Sequence, residues 1–158
     1  MIKKAIYVGS FNPFHIGHLN ILEKAEKIFG RGNVLIAIGV NPEKGQTDIS
    51  IRCGEIAESI NENLNDSREV IYYTCFTHEL IERYEEKGYN VVLIRGLRNG
   101  DDLDYEDNQL KFIEDFKKDI NVVFLRCDDK YEHVSSSAIR ALESFREGSG
   151  ERYLVKRK

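Results

Sequence analysis

Residues 9–18 read GSFNPFHIGH, which packs a serine, an asparagine, a proline and two histidines into one turn between apolar runs. These residue types suit an anion. Gly9 lets the backbone leave an extended segment sharply, and Ser10 offers a hydroxyl at its tip. Gly17 clears a side chain from the start of the next helix, opening the helix amides and positive dipole end to a ligand. His15 and His18 bring ring N–H donors for phosphate oxygens. A His-x-x-His pair also occurs in metal centres, but those need further ligands, and no Cys/His/Asp cluster follows nearby. The turn therefore reads as a phosphate holder, with no metal site of its own.

Three further groups repeat the theme. LIRGLRN places Arg95 and Arg98 on either side of Gly96, and two guanidiniums suit bidentate phosphate binding. HVSSSAIRAL sets Ser135, Ser136 and Ser137 ahead of a helical pattern. One of them is expected simply to cap that helix, while the others add hydroxyls and amides at a second anion-binding helix start. GVNPEKG carries Lys44 on a loop. The sequence has no GxxxxGK[ST] or GxGxxG motif, so a P-loop ATPase or dinucleotide enzyme finds no support, and no GxSxG elbow marks a hydrolase.

Something must hold these groups together, and the apolar pattern says what. Short β-rich runs at 4–8, 33–40, 69–74, 90–96 and 120–127 alternate with helical periods at 18–29, 51–64, 78–88, 104–119 and 136–148. NVLIAIGV is apolar throughout, as a strand buried on both faces is. Five such alternations predict right-handed crossovers and an α/β fold, a doubly wound five-stranded parallel sheet of Rossmann-like type. In such sheets ligands bind beyond the carboxyl ends of the strands, where strand order reverses. Each of the four groups follows a predicted strand.

Bulk properties narrow the partners. The 158 residues are expected to form a single domain, with no internal repeat or linker. With 27 acidic against 23 basic residues, the net charge of −4 argues against general nucleic-acid or membrane binding. Cys53, Cys75 and Cys127 are odd in number and scattered, which points to buried thiols in a reducing compartment, hence the cytoplasm. No apolar run approaches membrane-spanning length.

With these residues assembled, the chain resembles the HxGH nucleotidyltransferase superfamily, and within it the bacterial phosphopantetheine adenylyltransferases. The resemblance runs from residue 4 to about 145 and rests on GSFNPFHIGH, RGLRNGDDLDYE and VSSSAIR. It implies transfer of AMP from ATP to 4′-phosphopantetheine, giving dephospho-coenzyme A and pyrophosphate, with Mg²⁺ assisting. It also implies a homo-oligomer, a hexamer if like the family. Position by position, Ser10 stands where the family touches both ATP and the acceptor phosphate, and Phe11 follows it in the ATP site. His18 matches the histidine that stabilises the transition state. Lys44 and Arg95 match acceptor-phosphate binders, and Ile81 a position whose backbone meets the pantetheine arm. Gly96, Leu97, Arg98, Glu106, Tyr131, Glu132, His133, Val134, Ser135, Ser136 and Ser137 match the ATP pocket.

Three departures accompany the match. Tyr131 replaces a frequent tryptophan, LKFIEDF replaces an asparagine-containing acceptor segment, and the tail FREGSGERYLVKRK is short. The GSFNP variant is shared with nicotinate mononucleotide adenylyltransferases, although RGLRN with its following YE is not. Two alternatives therefore stand beside the leading reading: transfer to another phosphate-bearing acceptor, such as a mononucleotide, and a non-catalytic ATP-binding sensor. For transfer, His18, Lys44 and the helix amides would hold the α-phosphate. Arg98 and the serines would hold the β- and γ-phosphates, and Arg95 and Ser10 the incoming phosphate.

Overall fold

The apolar runs fold as five parallel strands: β1 (Ile2–Gly9), β2 (Val34–Gly39), β3 (Glu69–Tyr73), β4 (Tyr89–Leu97) and β5 (Asn121–Arg126). They are joined by α1 (Ile16–Phe29), α2 (Ile49–Ile60), α3 (Thr77–Glu86) and α4 (Gly100–Phe116), and α5 (Ser136–Phe145) follows β5. The computed structural model describes residues 2–40, 48–61 and 68–156. Lys44 lies outside them.

Strand order is β3-β2-β1-β4-β5, with Ala5 beside both Val34 and Val92. The chain winds from β1 out to β3, then returns past β1 to β4 and β5. The reversal falls between β1 and β4, and the crevice beyond their carboxyl ends is where such sheets bind ligands.

Period-two alternation sends the strands' side chains to both faces. Ala5, Tyr7, Ile36, Ile38 and Ile94 pack against Ile21 and Leu22 of α1 and Ile56 of α2. Ile6, Val8, Leu35, Ala37 and Leu93 pack against Leu80 and Ile81 of α3. Both faces being covered explains why the central strands read as continuous apolar runs.

Helix boundaries depart from the periodic reading, and α1, α4 and α5 show it with their caps. α1 begins two residues before 18, because His15 caps it. α4 begins at Gly100, not 104, because the Asn99 side chain accepts a bond from the Asp102 amide at 3.0 Å, with Asp101 and Asp102 favouring the positive end. α5 stops at Phe145, and Arg146 turns back to extended backbone.

Candidate active site

The β1–α1 turn is built around its histidines. His15 is the N-cap of α1, and its Nδ1 accepts from the Gly17 and His18 amides at 3.0 and 3.4 Å. His18 reciprocates, its Nδ1 accepting from the His15 amide at 3.1 Å. This is a capping box made of imidazoles. The rings stack with centroids 3.7 Å apart, and Phe14 stacks on the outer face of His18 at 5.3 Å. A Cβ at Gly17 would fall 2.9 Å from the His15 ring, so glycine is required for the ring to cap. The first amides are spent on His15, and Gly17 makes room for that ring while also lining the neighbouring cleft.

These bonds fix the tautomers. A nitrogen that accepts from an amide carries its lone pair there, so each neutral ring holds its proton on Nε2. Both rings are neutral at pH 7. Burial, then the Arg98 charge, pulls His15 down to about 4, and burial, then His15 and Arg98, holds His18 well below its usual value. Two uncharged N–H donors thus stand side by side at the tip of β1.

The titration of His15 has a stability consequence. An unfolded His15 takes a proton near pH 6.5, whereas the folded one resists until about 4. Its contribution is full above pH 6.5 and is lost as pH falls towards 4. We expect wild-type stability to drop between pH 7 and 5, and His15→Asn, which keeps an N-cap oxygen, to remove about 1–2 kcal/mol of that drop. Urea titrations at the two pH values check this, and an unchanged drop in the variant would clear His15 of the effect.

A cleft of about 500 Å³ opens beside these rings at the β1–β4 reversal. Into it the structure brings Ser10 and Phe11 from the exit of β1, His15 and His18 from α1, and Arg95, Gly96, Leu97 and Arg98 from the exit of β4. Glu106 of α4, Tyr131, Val134 and the serines 135, 136 and 137 complete its far wall. β4 approaches closely at Gly96, where a Cβ would meet Ile21 at 3.0 Å and the Tyr7 hydroxyl at 3.3 Å. Phe11 takes φ +45°, and its ring is only 2% exposed, set edge-on to His18 at 4.9 Å. It packs against the His18 ring, holding a costly backbone conformation to do so.

The serines divide their work. Ser135 caps α5 by accepting from the Ala138 amide at 3.1 Å, and Ser136 donates to the Pro13 carbonyl at 2.9 Å. Ser137 remains exposed beside Ser135, with the hydroxyls 3.3 Å apart. Arg140, one turn after Ser136, donates to the Asn12 carbonyl. The start of α5 thereby clamps the 10–14 loop.

Three sequence-predicted positions do not line the cleft. Ile81 is buried at 2% exposure among core residues, and its backbone lies within α3, so it is not available to meet a pantetheine arm. Glu132 and His133 are exposed on the turn between Tyr131 and Val134 and face away.

Sequence reasoning also missed partners. Arg95 is ion-paired with Glu106. Arg98 grips Asp102 through its backbone amide at 2.9 Å, Nε at 3.0 Å and Nη2 at 3.1 Å. The four-residue spacing of Arg98 and Asp102 carried the second pairing, whereas Arg95 and Glu106, eleven residues apart, left no such trace. Arg140 was signalled by its place one turn after Ser136. Tyr7, whose phenol burial keeps protonated, also lines the cleft, but nothing in an alternating strand singles it out.

Neutral donors, guanidiniums and a helix start converging at the switch point of a 3-2-1-4-5 parallel sheet define an α/β nucleotidyltransferase. The family model described as cytidylyltransferase-like matches residues 6–142. A phosphopantetheine adenylyltransferase of Clostridium botulinum is 33% identical over 145 residues, covering 91% of this chain and 84% of that protein. One from Streptococcus agalactiae is 34% identical over 146 residues, covering 92% and 87%. The chain belongs to the cytidylyltransferase-like family, and within it to the phosphopantetheine adenylyltransferases. Among solved structures, Plasmodium falciparum nicotinic acid mononucleotide adenylyltransferase superposes with a TM-score of 0.65 at 16% identity, over 98% of this chain and 91% of that one, which speaks to the fold.

Proposed function

We propose that the chain transfers the adenylyl group of ATP to 4′-phosphopantetheine, giving dephospho-coenzyme A and pyrophosphate. The observation that carries adenylyl transfer is the pair of neutral Nε2–H donors facing the cleft shared with Arg98 and the α5 start. The named relatives support the acceptor.

In this reaction an oxygen of the acceptor phosphate bonds to the α-phosphorus as the bond to the β-phosphate oxygen breaks. A phosphate monoester has a second pKa of about 6, so the nucleophile is already anionic and needs no general base. What the protein supplies is position and preorganised donors. His18 Nε2–H, with His15 beside it, stabilises charge growing on the α-phosphate. Arg98 and the α5 serines hold the leaving β- and γ-phosphates, and Ser10 and Arg95 hold the incoming phosphate. Lys44, outside the described residues, joins that group on the strength of the resemblance. Mg²⁺ enters as part of the nucleotide substrate, carried on phosphate oxygens as this ion prefers. Among the described residues no three His, Cys, Asp or Glu side chains gather as a metal site. No helix among them is long and apolar enough to cross a membrane.

The buried position of Ile81 removes one expected acceptor contact, so the test must compare acceptors. Incubation with MgATP and either 4′-phosphopantetheine or nicotinate mononucleotide, following pyrophosphate release, is expected to show turnover with the first. Turnover with the mononucleotide alone would replace the acceptor. Tight ATP binding with release from neither would leave a nucleotide sensor.

A further inference from the structure

The two tyrosines buried among the described residues treat their hydroxyls differently. Tyr73 shares a hydrogen bond with the Thr77 hydroxyl at 3.1 Å. Tyr7 is more deeply buried, at 3% exposure, yet its hydroxyl has no hydrogen-bond partner among those residues. Nor is the oxygen sealed in the core, because Tyr7 lines the cleft at the β1–β4 reversal. A buried phenol normally finds a partner, since an unmade bond leaves the whole cost of taking the oxygen out of water. Phenylalanine would fill the same space without that cost. Tyrosine here calls for a partner that arrives with the ligand.

The surroundings say which part of a nucleotide it meets. The Tyr7 ring packs edge-on against Phe11, with centroids 5.0 Å apart, and the His18 ring lies 6.5 Å away. At the exit of β4 a Cβ on Gly96 would fall 3.3 Å from the hydroxyl, so glycine leaves the oxygen uncovered. Ile21 closes over the same glycine, and Cys127 lies near. Burial keeps the phenol protonated, and the charges that reach it, Arg95 and Glu106, oppose one another as an ion pair. This corner of the cleft is therefore neutral, whereas Arg98 and the α5 start make the opposite wall suit polyphosphate. The neutral, hydroxyl-bearing part of ATP is its ribose, which is joined directly to the α-phosphate assigned to His18. A phenol and a sugar hydroxyl each donate and accept, so they pair without charge.

We propose that the Tyr7 hydroxyl bonds a ribose hydroxyl of ATP and makes the site prefer a ribonucleotide to its deoxy counterpart. The inference rests on the adenylyl-transfer reading and adds a specificity-determining residue to it. Its physical basis is an exchange: the free protein carries an unpaired buried oxygen, and binding the correct sugar satisfies it. A deoxy sugar leaves that oxygen unpaired, which is how a site built to bond a hydroxyl rejects the analogue lacking it.

The test is Tyr7→Phe in the full chain, which removes one oxygen and keeps the ring. Calorimetry reads dissociation constants of both proteins for ATP, 2′-deoxy-ATP and 3′-deoxy-ATP, and thermal melts are recorded without ligand. The variant is expected to melt no lower than the wild type, because an unpaired polar atom has left the interior. It should nevertheless bind ATP roughly 3–10-fold more weakly, the loss of one neutral hydrogen bond. In the wild type one of the two deoxy nucleotides should be weakened by a similar factor, and in Tyr7→Phe that nucleotide and ATP should bind alike, since the same bond is missing in both cases. A tyrosine that only packs would leave the sugar preference intact. Unchanged ATP binding in Tyr7→Phe overturns the assignment while adenylyl transfer stands. Equal weakening of ATP and both deoxy nucleotides also overturns it, because the hydroxyl would then meet a phosphate. A wild type that binds no ATP overturns this assignment and the adenylyl-transfer reading together.

Discussion

His18→Ala is expected to lower kcat by about 10²–10³-fold, the usual loss when one preorganised donor at a developing charge is removed. The side chain earns that place through three observations. Its Nδ1 is occupied by the His15 amide, its ring is clamped between Phe11, Phe14 and His15, and it lines the cleft. Only Nε2–H is left to act, and it acts uncharged, because burial and the neighbouring His15 and Arg98 hold its pKa well below 6.5. That neutrality gives the experiment a second reading. Wild-type turnover should stay level from pH 8 to 7, then fall as the acceptor phosphate gains its second proton near pH 6. A rise as pH drops through 6.5 would mean that an imidazolium is the active form. The variant should also lose about 1 kcal/mol of stability with the bond to His15, so far-UV spectra and melts must accompany the kinetics. Near-normal turnover in a folded His18→Ala protein removes the ring from the mechanism.

Much of this architecture follows from local pattern. NVLIAIGV announces a strand covered on both faces, and the alternation of such runs with helical periods implies a parallel sheet. From there the strand-end rule places Ser10, Arg98 and Ser135 near one another before any distance is known. What escaped the pattern depends on contacts between residues distant in sequence. Strand order is set by pairings such as Ala5 with Val34 and Val92, which leave no periodic trace. Ile81 shows the hazard of carrying a role across by position alone. An apolar residue on the inner face of a helix belongs to the core by default, and here it stays there. Glu132 and His133 make a related point, because consecutive residues in a tight turn cannot all face one cleft. Tyr131 and Val134, three apart, do, and the two between them are left to solvent. The α4 start was within reach, since Asn99 before Gly-Asp-Asp is a cap followed by an acidic first turn. The bridge from Leu154 to His15 was not, because it joins the two ends of the chain.

Arg98→Ala is expected to raise the KM for ATP by about 10–100-fold, corresponding to the roughly 1.5–3 kcal/mol of a hydrogen bond to a charged group. Asp102 makes the prediction sharper. It already engages the Arg98 backbone amide, Nε and Nη2, which fixes the guanidinium plane at the cleft and leaves further N–H donors for a polyphosphate. Deleting Arg98 removes those donors and also leaves the Asp102 carboxylate without its guanidinium, facing the incoming anion. The double variant Arg98→Ala/Asp102→Ala should therefore bind ATP better than Arg98→Ala alone, a coupling that a double-mutant cycle reads directly. Asp102→Asn separates the two functions of the pair. It keeps the shape and removes the charge, so the guanidinium is held less firmly but meets less competition. ATP affinity should hold or improve, while kcat falls because the leaving phosphates are no longer fixed in line. If Arg98→Ala leaves the KM for ATP within about twofold, well short of that loss, the guanidinium does not touch the polyphosphate. Its bond to Asp102 would then serve only to join β4 to α4.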